Sequence, residues 1–132
     1  MPNGRVSRAD AAFLEGAEQG LLLIQRCGDC GVPRNPPAPM CGECGSVVQE
    51  YVPSPGRGRV LSWIRSRHPN RPDDPPSDVI LVELEEGVRL VSNLVDVSGS
   101  GPFEDLEVVV DFRPVDGRIL PVFRPAADEA GP

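Results

Sequence analysis

Four cysteines constrain this chain more than any other feature, because they are all the cysteines it has and they come as two matched pairs. Cys27-Gly28-Asp29-Cys30 and Cys41-Gly42-Glu43-Cys44 are CxxC knuckles, each followed by a glycine, Gly31 and Gly45. That spacing lets paired turns present four thiolates to one ion at tetrahedral geometry, with zinc the expected metal. Four sulfur ligands fill the coordination shell and leave no position for water or substrate, so Cys27, Cys30, Cys41 and Cys44 are expected to build fold and not to perform chemistry. Two disulfides are a competing reading. Residues 1–10 hold no apolar stretch of the secretory kind, which leaves an oxidising compartment without support. A redox CxxC is the other, but such motifs come singly within a strand-helix pattern that is missing here. Between the knuckles stand Pro33, Pro36, Pro37 and Pro39, so residues 32–40 are expected as a stiff extended excursion and not a helix.

The remaining charge is lopsided. The 132-residue chain has a formal net charge of -7, which repels nucleic acid and anionic membrane surfaces at long range. Its 13 basic residues other than His68 are all arginine, and each offers a planar fork suited to phosphate or carboxylate. Five of them, Arg57, Arg59, Arg65, Arg67 and Arg71, crowd with His68 into a stretch that has no acid between Tyr51 and Pro72. Acids return at Asp73, Asp74 and Asp78. No apolar run approaches a membrane span, and a cytoplasmic location is expected.

Periodicity divides the chain. Ser7 with Asp10 three positions on resembles a capping box, and Gly20 suits a helix C-terminus. Between them Phe13, Leu14, Ala17 and then Leu21 fall at helical spacing, so a short amphipathic helix is expected whose apolar stripe docks on the chain's own body or on a partner. Residues 21–25 and 46–52 read as ribbon strands flanking the knuckles. From Gly56 the chain alternates β-rich runs with turn signals, as a small barrel does. Residues 59–67 form the first strand, with Val60, Ser62, Ile64 and Ser66 on one face and Leu61, Trp63 and Arg65 on the other. Residues 68–77 carry Pro69, Pro72, Pro75 and Pro76 and must loop.

Residues 78–85 and 88–95 make a hairpin through Glu86-Gly87, with Val79, Leu81 and Ile80 as the apolar set of one strand and Val88, Leu90 and Leu94 as that of the other. Residues 106–112 and 118–123 follow, joined at Asp116-Gly117. The fold class is therefore mainly β: helix at 1–23, ribbon at 24–52, five-stranded barrel at 53–125, and a disordered tail at 126–132. A Greek-key OB barrel suits this order, although a five-stranded open sheet or an SH3-like barrel fits the periodicity nearly as well.

In that order the chain resembles a known family, the zinc-ribbon plus OB-fold proteins of domain of unknown function thirty-five, described as acyl-CoA-associated. The matching strings are Phe13-Leu14-Glu15-Gly16 and Gly20, Gln25-Arg26-Cys27 with Cys30-Gly31, Pro37, and Cys41 with Cys44-Gly45-Ser46. They continue through Gly56, Gly58, Val60, Ser62-Trp63, and close with Asp116-Gly117, Pro121-Val122-Phe123 and Pro125. The resemblance implies a rubredoxin-like ribbon holding structural Zn2+ and an accessory subunit with no catalytic residues of its own. Its implied partners are thiolase-like enzymes, including steroid side-chain aldolases, or MaoC-type enoyl-CoA hydratases. The partner would be needed in trans, in a hetero-oligomer that together holds an acyl-CoA.

Under that resemblance the basic segment, Arg57, Arg59, Arg65, Arg67, His68 and Arg71 with Trp63 to stack on adenine, is the candidate for the CoA phosphates. Phe13, Leu14, Ala17 and Leu21 are the candidate docking stripe. His68, the one histidine, has no nucleophile and orienting acid in the sequence pattern around it, so a free enzyme is not expected. The other class is a single-stranded nucleic-acid binder, since OB barrels stack bases on aromatic side chains over a positive groove. Residues 78–95 offer no aromatic residue and one basic group, Arg89, which disfavours it.

Overall fold

The computed structural model describes residues 8–67, 69–99, 101–115 and 117–126. Among them are one helix and eight strands: α1 (Arg8–Glu18), β1 (Leu23–Cys27), β2 (Pro33–Arg34), β3 (Gln49–Pro53), β4 (Arg57–Ser66), β5 (Ser77–Leu84), β6 (Arg89–Leu94), β7 (Glu107–Val115) and β8 (Arg118–Pro125). Compact contacts divide the chain into a ribbon unit, which gathers residues 8–55 and 112–120, and a barrel unit of the remainder. The expected helix cap at Ser7, the tail beyond Ala126, and His68 and Asp116 lie outside the described residues.

In the ribbon unit α1 ends as Gly20 predicts. The Leu21 amide donates to the Gly16 carbonyl and the Gly20 amide to Ala17, with Gly20 at a φ of 77°. That is a Schellman closure, and it turns the chain straight into β1. Ala17, Leu22 and Ile24 are buried there. β1 lies at the centre of a three-stranded antiparallel sheet ordered β2-β1-β3. The ribbon strands start two to three residues later than expected, and the proline excursion contributes β2, a two-residue strand paired to β1 through Gln25 and Arg26. Across β1 and β3, Arg26 sits opposite Glu50 and its Nη2 donates to the Glu50 carboxylate at 2.8 Å.

The barrel strands close in the order β4-β5-β6-β8-β7, the five-stranded barrel expected of the sequence. Its core is Val60, Ile80, Val82, Leu84, Leu90, Phe103, Val108, Val122 and Phe123 with their neighbours. Two facing assignments are corrected. The β4/β5 register slips between Val60 and Ser62, so Val60 pairs with Val82 but Ser62 with Leu81. The extra residue, Leu61, inverts the alternation beyond it. Val60 and Trp63 therefore point inward together, whereas Ile64 is 63% exposed instead of sharing the face of Val60. On β5 the inward residues are Ile80, Val82 and Leu84, not Val79 and Leu81. That strand is apolar on both faces, so pairing with Val60 and Leu90 decides what alternation alone left open. No helix among the described residues is long and apolar enough to cross a membrane.

Candidate functional site: a four-cysteine metal centre

The two knuckles fold by the same hydrogen bonds. In the first, the Cys27 amide donates to the Val32 carbonyl and the Gly31 amide to Cys27; in the second, Cys41 donates to Ser46 and Gly45 to Cys41. Gly31 and Gly45 take φ of 82° and 77°, a left-handed turn that reverses each knuckle without a Cβ clash. The amides of Asp29 and Cys30 point at the Cys27 sulfur, and the Glu43 amide at that of Cys41.

All four sulfurs lie within 4.8 Å of one another. Cys27 approaches Cys44 at 3.6 Å, and Cys30 approaches Cys41 at 3.6 Å. A disulfide would bring two sulfurs to about 2.05 Å, and none of the four is so joined. Zinc-sulfur bonds of about 2.3 Å at tetrahedral angles separate the sulfurs by roughly 3.8 Å, so the cluster has the size of a zinc site. Cys27 and Cys41 are buried, while Cys30 and Cys44 reach the surface.

The environment of the thiols suits a shared cation. Backbone N–H groups of Cys30 and Asp29 favour the Cys27 thiolate and hold that thiol down to about 6. At Cys44 the Ser46 N–H also favours the thiolate, but the neighbouring Cys27 thiol, desolvation, and Cys30 and Cys41 outweigh it and push the group up to about 12. One sulfur ionises readily and its neighbour resists, because adjacent anions repel. A dication shared by all four removes that conflict, and with no open ligand position its role is structural.

One residue of this centre, quoted above only as part of a matching string, has a role that the motif does not state. Gln25 is buried at 2% exposure. Its Oε1 accepts from Arg34 Nη1 at 3.0 Å and from the Ala38 amide at 2.8 Å, while its Nε2 donates to the Tyr51 hydroxyl at 3.3 Å. Gln25 thereby pegs the proline excursion to the strand that carries the first ligand. A glutamine closing the apolar run Leu21-Leu22-Leu23-Ile24 just before a knuckle is the signal that points to it.

The basic segment is dispersed and compensated. Six residues of extended strand separate Arg59 from Arg65, about 20 Å, so the segment has two ends. At one, Arg59 lies 3.6 Å from Glu83 and 3.4 Å from Asp105. There Arg57 and Arg59 line a pocket of about 510 Å³ with Glu83, Glu85 and Glu107, so carboxylates outnumber guanidiniums. At the other, Arg65 pairs with Asp78 at 2.9 Å, Arg71 with Asp74 at 3.7 Å, and Arg67 donates to the carbonyls of Pro72 and Asp74 at 3.2 Å each. The gap in acids along the sequence is filled in space by other strands and loops. Trp63 packs on Phe103 with ring centroids 4.9 Å apart, under the Arg65 guanidinium at 5.7 Å. A Cβ on Gly101 would lie 2.5 Å from the indole, so the backbone abuts the ring as well. These contacts occupy the ring expected to stack on adenine.

Of the expected docking stripe, Ala17 is buried within its own unit, Phe13 and Leu14 are half-buried, and Leu21 is 37% exposed. Leu14 also lines a shallow pocket with Ala11, Glu15, Glu18, Arg118 and Ile119.

Known proteins share this architecture. Residues 14–47 match the family model of the ChsH2 rubredoxin-like zinc ribbon domain, and residues 51–113 match that of the ChsH2 C-terminal OB-fold domain. A solved structure described as the Ltp2-ChsH2(DUF35) aldolase superposes with a TM-score of 0.84 at 41% identity, over 96% of this chain and 99% of that one. A probable enoyl-CoA hydratase alpha subunit of Thermomonospora curvata is 42% identical over 130 residues, 97% of this chain; the chain spans 41% of that relative's length. A DUF35 domain-containing scaffold protein of Pyrococcus furiosus is 34% identical over 92 residues, 64% of this chain and 68% of the relative. With its knuckles, its ribbon and its closed barrel all matched, the chain belongs to the DUF35 family of zinc-ribbon and OB-fold proteins.

Proposed function

We propose that this chain is a non-catalytic accessory subunit of an acyl-CoA-processing enzyme, docking on an aldolase of the thiolase superfamily or on a MaoC-type hydratase and helping to hold its thioester substrate. The observation that carries the reading is the likeness, over 96% of this chain, to a chain of the structure described as the Ltp2-ChsH2(DUF35) aldolase. The hydratase alpha subunit of Thermomonospora curvata supports the same class of partner. A coordination-saturated metal centre suits a scaffold, since it offers shape and no reactive position.

In this reading Phe13, Leu14 and Leu21 meet the partner, and the Arg65, Arg67 and Arg71 end of β4 meets the CoA phosphates. The acid-rich Arg57 and Arg59 end is the poorer choice. The Arg71 pair with Asp74 is exposed and the Arg65 pair with Asp78 is half-covered; exposed pairs contribute little, so a phosphate can displace the Asp74 carboxylate there at small cost. Co-expression with the candidate enzyme and co-purification tests the first part. A stable complex whose thioester activity collapses without this chain is expected, and a fully active lone enzyme overturns the reading. Replacing Arg65 and Arg67 by alanine in the complex should raise the apparent KM for the CoA substrate; an unchanged KM removes the phosphate placement alone.

A further inference from the structure

The two knuckles share one backbone pattern, but the residue five positions after the first cysteine differs: Val32 in one and Ser46 in the other. Both supply the carbonyl that accepts the first cysteine's amide. Closing a knuckle therefore needs no hydroxyl, because Val32 closes the first without one.

The Ser46 hydroxyl is used elsewhere. It donates to the carboxylate of Asp29, which sits at the tip of the opposite knuckle, and accepts the Val48 amide at 3.0 Å. Val48 in turn accepts the Gly28 amide through its carbonyl. Residues 46–48 thus form a strap across the metal centre. The Ser46 carbonyl fixes ligand Cys41, its hydroxyl holds Asp29 between ligands Cys27 and Cys30, and Val48 holds Gly28 beside Cys27.

Asp29 adds a reason for the contact. Its carboxylate stands on the knuckle whose own amide serves the Cys27 sulfur, near a centre that carries four thiolates and one dication. An unpartnered carboxylate there repels the thiolates, and a donated hydroxyl both directs and disperses its charge.

We propose that Ser46 is the positioning residue that latches the two knuckles together around the ion and sets how slowly the metal leaves. The groups that orient ligands govern affinity alongside the ligands themselves. The inference concerns the ribbon alone and stands whether or not the accessory-subunit reading holds.

The test is zinc release from the purified full chain into a chromophoric chelator. Ser46→Val installs the first knuckle's own residue, so the knuckle keeps a side chain that its twin accommodates. Release should then quicken roughly fivefold to tenfold, the effect of one lost charge-assisted hydrogen bond. Ser46→Ala should match it, and Ser46→Thr, which keeps the hydroxyl, should restore the slow rate. In the Co2+-loaded protein the tetrahedral d–d bands should shift in Ser46→Val and not in Ser46→Thr. Glu50→Gln, which breaks an ion pair in the same three-stranded sheet, serves as the control for general loosening and should leave release unchanged. Natural release rates in Ser46→Val, or equal quickening in Glu50→Gln, overturn the proposal.

Discussion

The ribbon and the barrel are stabilised by opposite means. Among the described residues the ribbon unit buries five apolar side chains, and two of these, Cys27 and Cys41, are metal ligands; the barrel buries twelve. A region of that size with three ordinary core residues is too poor in apolar contact to persist alone, whereas a dozen buried aliphatic and aromatic side chains suffice for a small barrel. The ribbon therefore relies on ligand bonds and on one buried glutamine, and the barrel on dispersion and water exclusion. The contrast teaches that a chain of this length can combine two stability mechanisms that respond to different insults.

Removing the metal should have the largest effect. Cys41→Ser or a strong chelator forfeits a binding energy on the order of 10 kcal/mol. Hydrogen exchange should then show the β1, β2 and β3 amides unprotected while β4, β5 and β6 keep their protection. Joint loss of both sets would mean that the barrel depends on the ion after all.

Next in size is Phe123→Ala. The side chain is wholly buried in the barrel, and such truncations cost about 3–5 kcal/mol. The denaturant midpoint of the barrel should fall while zinc stays bound, and zinc lost along the same transition would deny the separation. Gln25→Leu should cost about 1–3 kcal/mol, by leaving the Ala38 amide and Arg34 unsatisfied. Its signature is faster proteolysis within residues 35–40 with no change in barrel exchange. Arg65→Ala is the smallest, about 1 kcal/mol, since it breaks a single ion pair at the surface, between a partly exposed Arg65 and a half-buried Asp78. A larger shift in the thermal midpoint would show that its packing over Trp63 contributes to the barrel.

How much was legible in the sequence differs between the same two regions. The knuckles were readable because a ligand set is local: two CxxC strings and their glycines state the chemistry and the turn together. The helix end at Gly20 was readable for the same reason, as was the run of five barrel strands with their turns, though not how the strands close. What escaped depends on distant pairing. A single bulge at Leu61 reverses which residues of β4 face inward, and no periodicity in residues 57–66 announces it. The gap in acids from Tyr51 to Pro72 looked like unbalanced charge, yet Glu83 and Asp105 reach Arg59 across sequence separations that composition cannot see. The Ser46 to Asp29 contact joins positions 17 apart and was equally invisible.

The barrel is shut by its latest strand. β4 meets β7 through pairs such as Arg57 with Val109, and β6 meets β8 through Leu94 with Phe123, where the Val95 amide also donates to the Phe123 carbonyl. A nascent chain emerging from the ribosome has every ligand for its ion once Cys44 is out, but it has no ring until Phe123 follows. Such long-range closure is slow, whereas short loops close fast. The ion therefore has its full ligand set before the ring can close, and until it closes the unpaired strands are the part of the molecule most exposed to aggregation.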